Sequence, residues 1–250
     1  MPHARWGAYD AGGRGRPRRC GAGPGAMDTL RAGLDFRRPE YRREVFLRFY
    51  EFHTRLGTHP GCVYFLLPWL RARLGSSEEE ALWFAFLNGN TQNPVTSLLL
   101  HEAGRTPREA DAVVRFFHRE RARLAFDTDR RHHRRLFPEA VRAYVERLAG
   151  GPQGGEIRRH TDRGWPAAWA WARSLHTFGR LSAFSYLEYL RILGVEVDCE
   201  DLLLEDRDGS RSHRNGLCRV LGRDDLDWHE SNPGFDGRYA PDLLEWLEAE

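Results

Sequence analysis

The most constraining feature of this 250-residue sequence is a polar break between two apolar segments at residues 82–101. The first segment ends in the run Asn-Gly-Asn-Thr-Gln-Asn at residues 88–93, and Pro94 opens the second. Ser77 stands three residues before Glu80, which is the spacing of a capping box at a helix start. Because the residues after this box are too apolar for a surface helix, the pattern predicts two buried helices joined by a tight corner.

The predicted corner is rich in side-chain amides. Gly89 is expected to end the first helix in a left-handed conformation, and the fixed φ of Pro94 suits the first position of the next helix. Amides offer the donors and acceptors that contact a nucleobase edge or a phosphate oxygen. The structural alternative is that Asn88 and Asn90 only tolerate positive φ and that Asn93 caps the next helix. The candidates for base or DNA binding here are Asn88, Asn90, Gln92 and Asn93.

Composition predicts a globular protein without a membrane-spanning segment. The chain is 41% hydrophobic and 12% aromatic, which is enough to bury a sizeable core. Its longest apolar run, residues 62–70, is about half the length of a membrane crossing and contains Pro68. The 38 basic and 36 acidic residues nearly cancel, so no global field predicts a polyanionic partner. Four cysteines without zinc-ligand spacing favour a reduced, cytoplasmic compartment.

Helical periodicity runs through most of the chain and predicts an all-α, multi-helix globular bundle. Residues 1–33 contain Gly and Arg with few apolar residues and are expected to be a disordered leader, with Met27 as an alternative start. Residues 150–164 begin with Gly and Pro and are expected to link an N-terminal helical part, 34–149, to a C-terminal one, 165–250.

Two aromatic groups at helical spacing are expected to belong to the core rather than to a binding surface. Stacking on nucleobases is the alternative for the tryptophans of the second group. The first group comprises Val45, Phe46, Phe49, Tyr50 and His53, and the second comprises Trp165, Trp169, Trp171 and Phe178.

Residues 126–136 form the densest charge cluster in the sequence. In the functional interpretation, Arg130 and Arg131 hold a polyphosphate while Asp127 or Asp129 accepts a proton. The alternative is that Asp129 caps a helix and the arginines form a solvated face. The two adjacent histidines lack a specific metal-ligand spacing, so no metal ligand is assigned.

Two further places add candidates for anion binding. Arg180 lies at a predicted helix junction, where it can bind an anion together with free helix amides or cap the preceding helix. Residues 205–229 are glycine-punctuated and polar, as expected for an ordered functional loop, and contain Arg211, His213, Arg214 and Asn215. The sequence has no Walker motif, dinucleotide fingerprint or GxSxG, which disfavours ATPases, dinucleotide enzymes and common serine hydrolases.

Five long strings in the sequence are unusual: REVFLRFYEFH, HPGCVYFLLPWL, LWFAFLNGNTQNPVTS, FDTDRRHHRRLFPEAV and SHRNGLCRVLGRDDLDWH. Together they resemble the amino acid:DNA transferases, also described as alpha-glutamyl/putrescinyl thymine pyrophosphorylases, from about residue 34 to 239. The resemblance implies a helical fold distantly similar to helical DNA glycosylases and a role in bacteriophage thymine hypermodification, in the cytoplasm of the infected cell. The implied reaction replaces pyrophosphate on 5-(pyrophosphoryloxymethyl)deoxyuridine in DNA by an amine from an amino acid or polyamine.

The implied reaction divides the candidate residues by chemistry. The leaving pyrophosphate needs positive charge, with or without Mg²⁺, and the incoming ammonium must lose a proton. A base in a duplex must also be flipped out and held by its edge. The candidates are Arg130, Arg131, Arg180, Arg211 and Arg214 for pyrophosphate; Asp127, Asp129 and His213 for proton transfer; and Asn88, Asn90, Gln92, Asn93 and Asn215 for the base.

Two other functions stay open from the sequence. A glycosylase-like enzyme acting on modified bases would release a free base and leave an abasic site, although no clear helix-hairpin-helix signature is present. A non-catalytic helical DNA-binding protein is the second, and the near-neutral net charge argues against it.

Overall fold

The computed structural model describes residues 34–56, 62–199 and 211–222, and within these ranges it contains helices and turns but no strand. The all-α class expected from the sequence is therefore confirmed. Residues 60–202 form one unit, and the segments on either side of it form a second. No helix in the described ranges is both long and apolar enough to cross a membrane.

The flanking unit contains helices α1 (Pro39–Leu56) and α11 (Arg211–Val220), which pack against each other. The larger unit comprises α2 (Cys62–Leu74), α3 (Glu78–Thr91), α4 (Pro94–Ala103), α5 (Ala110–Glu120), α6 (Arg130–His133), α7 (Phe137–Leu148), α8 (Gln153–Thr161), α9 (Trp165–Arg173) and α10 (Arg180–Ile192). Short 3₁₀ turns, Pro107–Glu109 and Arg134–Leu136, precede α5 and α7.

Helix α3 forms the centre of the larger unit. Its start is fixed by the predicted capping box, in which Ser77 Oγ accepts a hydrogen bond from Glu80 N at 3.2 Å and Glu80 Oε2 accepts one from Ser77 N at 2.6 Å. Every residue from 81 to 91 is buried, and α2, α4, α6, α8 and α10 all pack around the helix. A helix covered on all sides needs no polar stripe, which explains its nearly continuous apolar sequence.

The predicted left-handed cap at Gly89 is wrong. Helix α3 continues through Gly89 to Thr91, and Gln92 takes the left-handed conformation instead, with a φ of 53°. A Cβ atom on Gly89 would lie 2.8 Å from Phe178 Cζ, so this glycine permits close packing rather than a turn. The connection between α3 and α4 consequently consists of only Gln92 and Asn93.

A chain of hydrogen bonds crosses the core beside α3. The Glu79 carboxylate accepts from the backbone N–H groups of Gln153 at 3.0 Å and Gly154 at 3.1 Å, which caps the start of α8. The Tyr144 hydroxyl donates to Gln153 Oε1 at 3.2 Å and lies 3.2 Å from the Tyr186 hydroxyl. Because burial raises the pKa of both phenols, they stay neutral hydrogen-bonding groups.

Two predicted polar connections contain helices. The expected linker, residues 150–164, includes α8, and the chain on both sides of it lies in the same unit. Within the expected loop, residues 205–229, the part described is mostly α11. The predicted disordered leader, residues 1–33, lies outside the described residues.

The aromatic core predictions have mixed outcomes. On α1, Phe46, Phe49 and Tyr50 are exposed by 44%, 50% and 64%, so the expectation of a buried face there is wrong. Helical spacing identifies residues that share a face, but it does not determine whether another element covers that face. In the second group, Trp165, Trp171 and Phe178 are buried as expected, whereas Trp169 is half-buried.

Candidate functional site

The amide corner, defined as residues 88–93, is tied to the following helix by a compact hydrogen-bond network. Ser97 Oγ donates to Asn88 Oδ1 at 3.0 Å and lies 2.6 Å from Thr91 Oγ1. Asn93 Oδ1 accepts from Thr96 N at 2.8 Å, so Asn93 caps α4 as the structural alternative expected. The amides at both ends of the corner therefore have structural partners.

Arg130 is buried inside the site, with only 1% of its surface exposed. Its Nε donates to Asn90 O at 3.1 Å, and its Nη1 and Nη2 donate to Thr177 O and Thr177 Oγ1, both at 2.7 Å. We call these three residues the arginine clamp; it joins α3, α6 and the segment before α10. Burial lowers the pKa of Arg130, and the nearby Asp129 charge opposes this shift. The guanidinium thus binds protein oxygens rather than facing solvent.

Asp127 is an exposed carboxylate with a defined orientation. Asn93 Nδ2 donates to Asp127 Oδ2 at 2.8 Å, and Asp127 N donates to Thr91 O at 2.9 Å. Asp129 is half-buried and accepts from Thr128 Oγ1 at 3.1 Å. Of the two candidate carboxylates, Asp127 is the one that the corner orients directly.

Backbone strain is concentrated around the clamp. Among the described residues other than glycine, positive φ occurs at Gln92 (53°), Thr128 (53°) and Thr177 (69°), and elsewhere only at Ala149. The left-handed region is costly for a β-branched residue such as threonine. Strain of this kind tends to persist at functional sites, where the surrounding structure holds it in place. Three of the four non-glycine residues with positive φ among the described residues thus lie in the clamp or within two residues of one of its members.

Tyr189 adds a residue that the sequence interpretation missed. Burial raises its pKa to about 12, while polar contacts with Ser185, Asn88 and Gln92 act in the opposite direction. Gln92 Nε2 is buried but lacks a partner with good hydrogen-bond geometry among the described residues. Gln92 is thus the member of the corner whose amide is least satisfied by the protein.

Two of the predicted pyrophosphate-binding arginines of the larger unit lie nearer to solvent than Arg130. Arg131 is exposed, and its Nε donates to Thr128 O at 2.9 Å. Arg180, the first residue of α10, lies 5.6 Å from the Trp169 ring centre, as does Arg173. Trp169 in turn stacks on Trp165, with ring centres 5.6 Å apart. This stack keeps two cations beside one ring at the junction of α9 and α10.

The remaining candidates lie on α11 in the flanking unit. They fall within five consecutive positions at the start of that helix, and their roles stay predictions. These residues are Arg211, His213, Arg214 and Asn215. No group of three His, Cys, Asp or Glu side chains suited to hold a metal ion occurs in the described ranges.

Comparison with known proteins identifies the family. The amino acid:DNA transferase family model matches residues 68–232, two thirds of the chain and a range that includes every candidate residue above. A protein named serinyltransferase, from Salmonella phage ViI, is 27% identical over 209 residues, which cover 77% of this chain and 51% of that protein. The chain thus spans about half the length of this curated relative. No solved structure matches. On the extent of the family match, this chain belongs to the amino acid:DNA transferase family.

Proposed function

We propose that this chain transfers the amine of an amino acid or polyamine to modified thymine in DNA, with release of pyrophosphate. The match to the amino acid:DNA transferase family over residues 68–232 is the observation that carries this proposal. The strained, hydrogen-bonded corner inside that range supports placing the site there. Because the relative is named serinyltransferase, L-serine is the first donor to test.

The proposed reaction is a substitution at the methylene carbon on the pyrimidine ring of 5-(pyrophosphoryloxymethyl)deoxyuridine. The bond from this carbon to the pyrophosphate oxygen breaks, and its electron pair leaves with pyrophosphate. The neutral amine then forms a carbon–nitrogen bond to the electron-poor exocyclic methylene. One proton passes from the incoming ammonium to a base on the protein, and another is lost from the new carbon–nitrogen product. The enzyme must therefore supply cations for the leaving group and a proton acceptor.

For the leaving group, solvent access favours Arg131 and Arg180 over Arg130. Both are at least partly exposed, whereas the guanidinium of Arg130 is engaged with Asn90 and Thr177. Arg130 is accordingly proposed as a positioning residue. Arg211 and Arg214 on α11, with or without Mg²⁺, stay additional candidates for pyrophosphate.

For the base, an amide nitrogen that the described residues leave without a good partner favours Gln92, and for the proton, solvent access favours Asp127. Gln92 has an amide nitrogen without a good protein partner, whereas Asn88 and Asn90 are buried and bonded to protein oxygens or hydroxyls. The exposed Asp127 carboxylate is oriented by Asn93, as a proton acceptor needs to be. Asp129, His213 and Asn215 stay alternatives for these two roles. Access to the base would require flipping it from the duplex, as in the helical DNA glycosylases whose fold was expected to be similar.

The test uses the full chain and DNA that contains 5-(pyrophosphoryloxymethyl)deoxyuridine, with a pool of amino acids and polyamines, in Mg²⁺ and in EDTA. Enzymatic digestion and mass spectrometry of the nucleosides should reveal a thymidine heavier by one amine, together with free pyrophosphate. Asp127→Asn should slow transfer by roughly a hundredfold or more, as loss of a general base does, and Asp111→Asn, an exposed change on α5, is the matched control.

Two outcomes would overturn the proposal. Abasic sites without a new nucleoside would identify a glycosylase-like hydrolase. Unchanged nucleosides with every donor, from folded protein that binds this DNA, would identify a binding protein instead.

A further inference from the structure

A small cavity lies between α3, α7 and the segment that connects α9 to α10. It has a volume of about 190 Å³, and its wall includes Phe86, Tyr144, Arg147, Ser174, Leu175 and His176. An apolar cavity of about 150 Å³ is enough to hold benzene, which is comparable in size to a small amino acid. The cavity is open on one side, and its volume is enough for a compact metabolite.

The charge on the cavity wall comes from Arg147 on α7. Its Nη1 donates to Ser174 Oγ at 2.9 Å, and Ser174 Oγ donates to Trp171 O at 2.7 Å, so the guanidinium is oriented. Within the described part of the chain, Arg147 forms no ion pair with a carboxylate. A guanidinium that is oriented but not neutralised suits a carboxylate ligand, because the remaining N–H groups can form charge-assisted hydrogen bonds.

The cavity is connected to the amide corner through two elements. On α3, Phe86 lies one helical turn before Asn90, and Asn90 Nδ2 donates to Phe86 O at 3.0 Å. On the other wall, His176 immediately precedes Thr177, whose carbonyl and hydroxyl bind Arg130. A molecule in the cavity would thus contact the residues that adjoin the arginine clamp.

We propose that this cavity binds the amino acid donor, with Arg147 holding its carboxylate and the amine directed towards His176 and the clamp. On the apolar part of the wall, the half-buried Ala143 would contact a short side chain. This inference rests on the proposed transfer reaction for its choice of ligand. It adds the requirement that the donor carries a carboxylate, which selects amino acids over polyamines.

The test compares the full-length wild type with Arg147→Gln, Ala143→Leu and Arg142→Gln. Ala143 also lines the cavity, so leucine there fills space without changing charge, and Arg142 is an exposed arginine on the same helix that serves as control. The probes are L-serine and its decarboxylated analogue ethanolamine. Transfer kinetics give the KM for each donor and for DNA, and saturation-transfer NMR measures L-serine binding without DNA.

We expect Arg147→Gln to raise the KM for L-serine by roughly tenfold or more, the effect of losing hydrogen bonds between a guanidinium and a carboxylate. The KM for DNA and the KM for ethanolamine should be unchanged by Arg147→Gln. If Arg147 had only a structural role, its loss would change these two constants as well. Ala143→Leu should also weaken L-serine binding, and Arg142→Gln should match the wild type. If Arg147→Gln does not fold, Ala143→Leu tests whether the donor occupies the cavity, through a raised KM for L-serine at an unchanged KM for DNA.

Failure of the subsite and failure of the reaction give different results. An active enzyme whose KM for L-serine and other amino acids is unchanged by Arg147→Gln and Ala143→Leu would overturn the subsite but keep the reaction. A preference for ethanolamine or polyamines would overturn it as well. If no donor is transferred, the proposed function fails, and the subsite then stands only if NMR detects L-serine binding that Arg147→Gln removes.

Discussion

Replacing Arg130 by methionine removes the guanidinium of the arginine clamp but keeps a side chain of similar reach. Asn90 O, Thr177 O and Thr177 Oγ1 each lose the hydrogen bond that an Arg130 nitrogen donates to them at 2.7–3.1 Å. Hydrogen bonds that involve a charged group contribute about 1.5–3 kcal/mol each, so the gross loss for three bonds is about 4.5–9 kcal/mol. Removal of the buried cation offsets several kcal/mol of this, because no carboxylate among the described residues contacts the Arg130 guanidinium. The expected net decrease in the free energy of unfolding is about 2–4 kcal/mol.

Urea unfolding followed by far-UV circular dichroism measures this decrease, and Arg131→Met is the matched control. Arg131 is the next residue, is exposed and donates to one local carbonyl, so its loss should change stability by less than about 0.5 kcal/mol. Arg131→Met should nonetheless impair transfer, whereas Arg130→Met should impair both stability and transfer. If Arg130→Met proves as stable as the control while abolishing transfer, the clamp is refuted and Arg130 is a direct pyrophosphate ligand.

Three further outcomes follow from the described contacts. Burial lowers the pKa of His101 in the folded protein, so the unfolded chain takes up the proton at a higher pH than the folded protein does. The free energy of unfolding should therefore decrease as the pH falls below about 6.5, by at most about 1.4 kcal/mol per pH unit. Urea unfolding at several pH values should show this decrease for the wild type, and the contribution of His101 to it should be missing in His101→Gln. Gly89→Ala should destabilise the protein by about 1–3 kcal/mol in thermal unfolding, because the added methyl group collides with Phe178 although alanine has the better helix propensity. Gly216→Ala places the methyl group in open space on a helix and should stabilise the protein by up to about 1 kcal/mol. Asn93→Ser should keep the helix cap and hence the melting temperature but slow transfer, because Asp127 loses its amide partner.

Features that depend on nearby residues could be predicted from the sequence. The capping box at Ser77–Glu80 forms because it involves only four consecutive residues. Asn93 and Pro94 likewise begin α4 as their local chemistry requires. The all-α class was predictable for the same reason, because helical periodicity involves residues only three or four positions apart.

Features that depend on residues distant in the chain could not be predicted from the sequence. Gly89 has the local properties of a helix cap, but packing against Phe178 keeps it inside α3. Arg130 belongs to a charge cluster typical of a solvated face, yet its partners lie 40 and 47 residues away in the chain. Thr177 and Arg147 carry no local pattern that separates them from ordinary surface residues. Only the fold reveals that Thr177 belongs to the arginine clamp and that Arg147 lines the cavity.

The burial of α3 on every side also determines where this protein can be redesigned. No position between residues 81 and 91 faces solvent, so a mutant library spread over this helix would consist mainly of packing defects. Diversity is better introduced in the cavity wall at the exposed residues Ser174 and His176, where side chains can change without filling the core. An effort to change donor or base preference should therefore hold α3 constant and vary the loops around it.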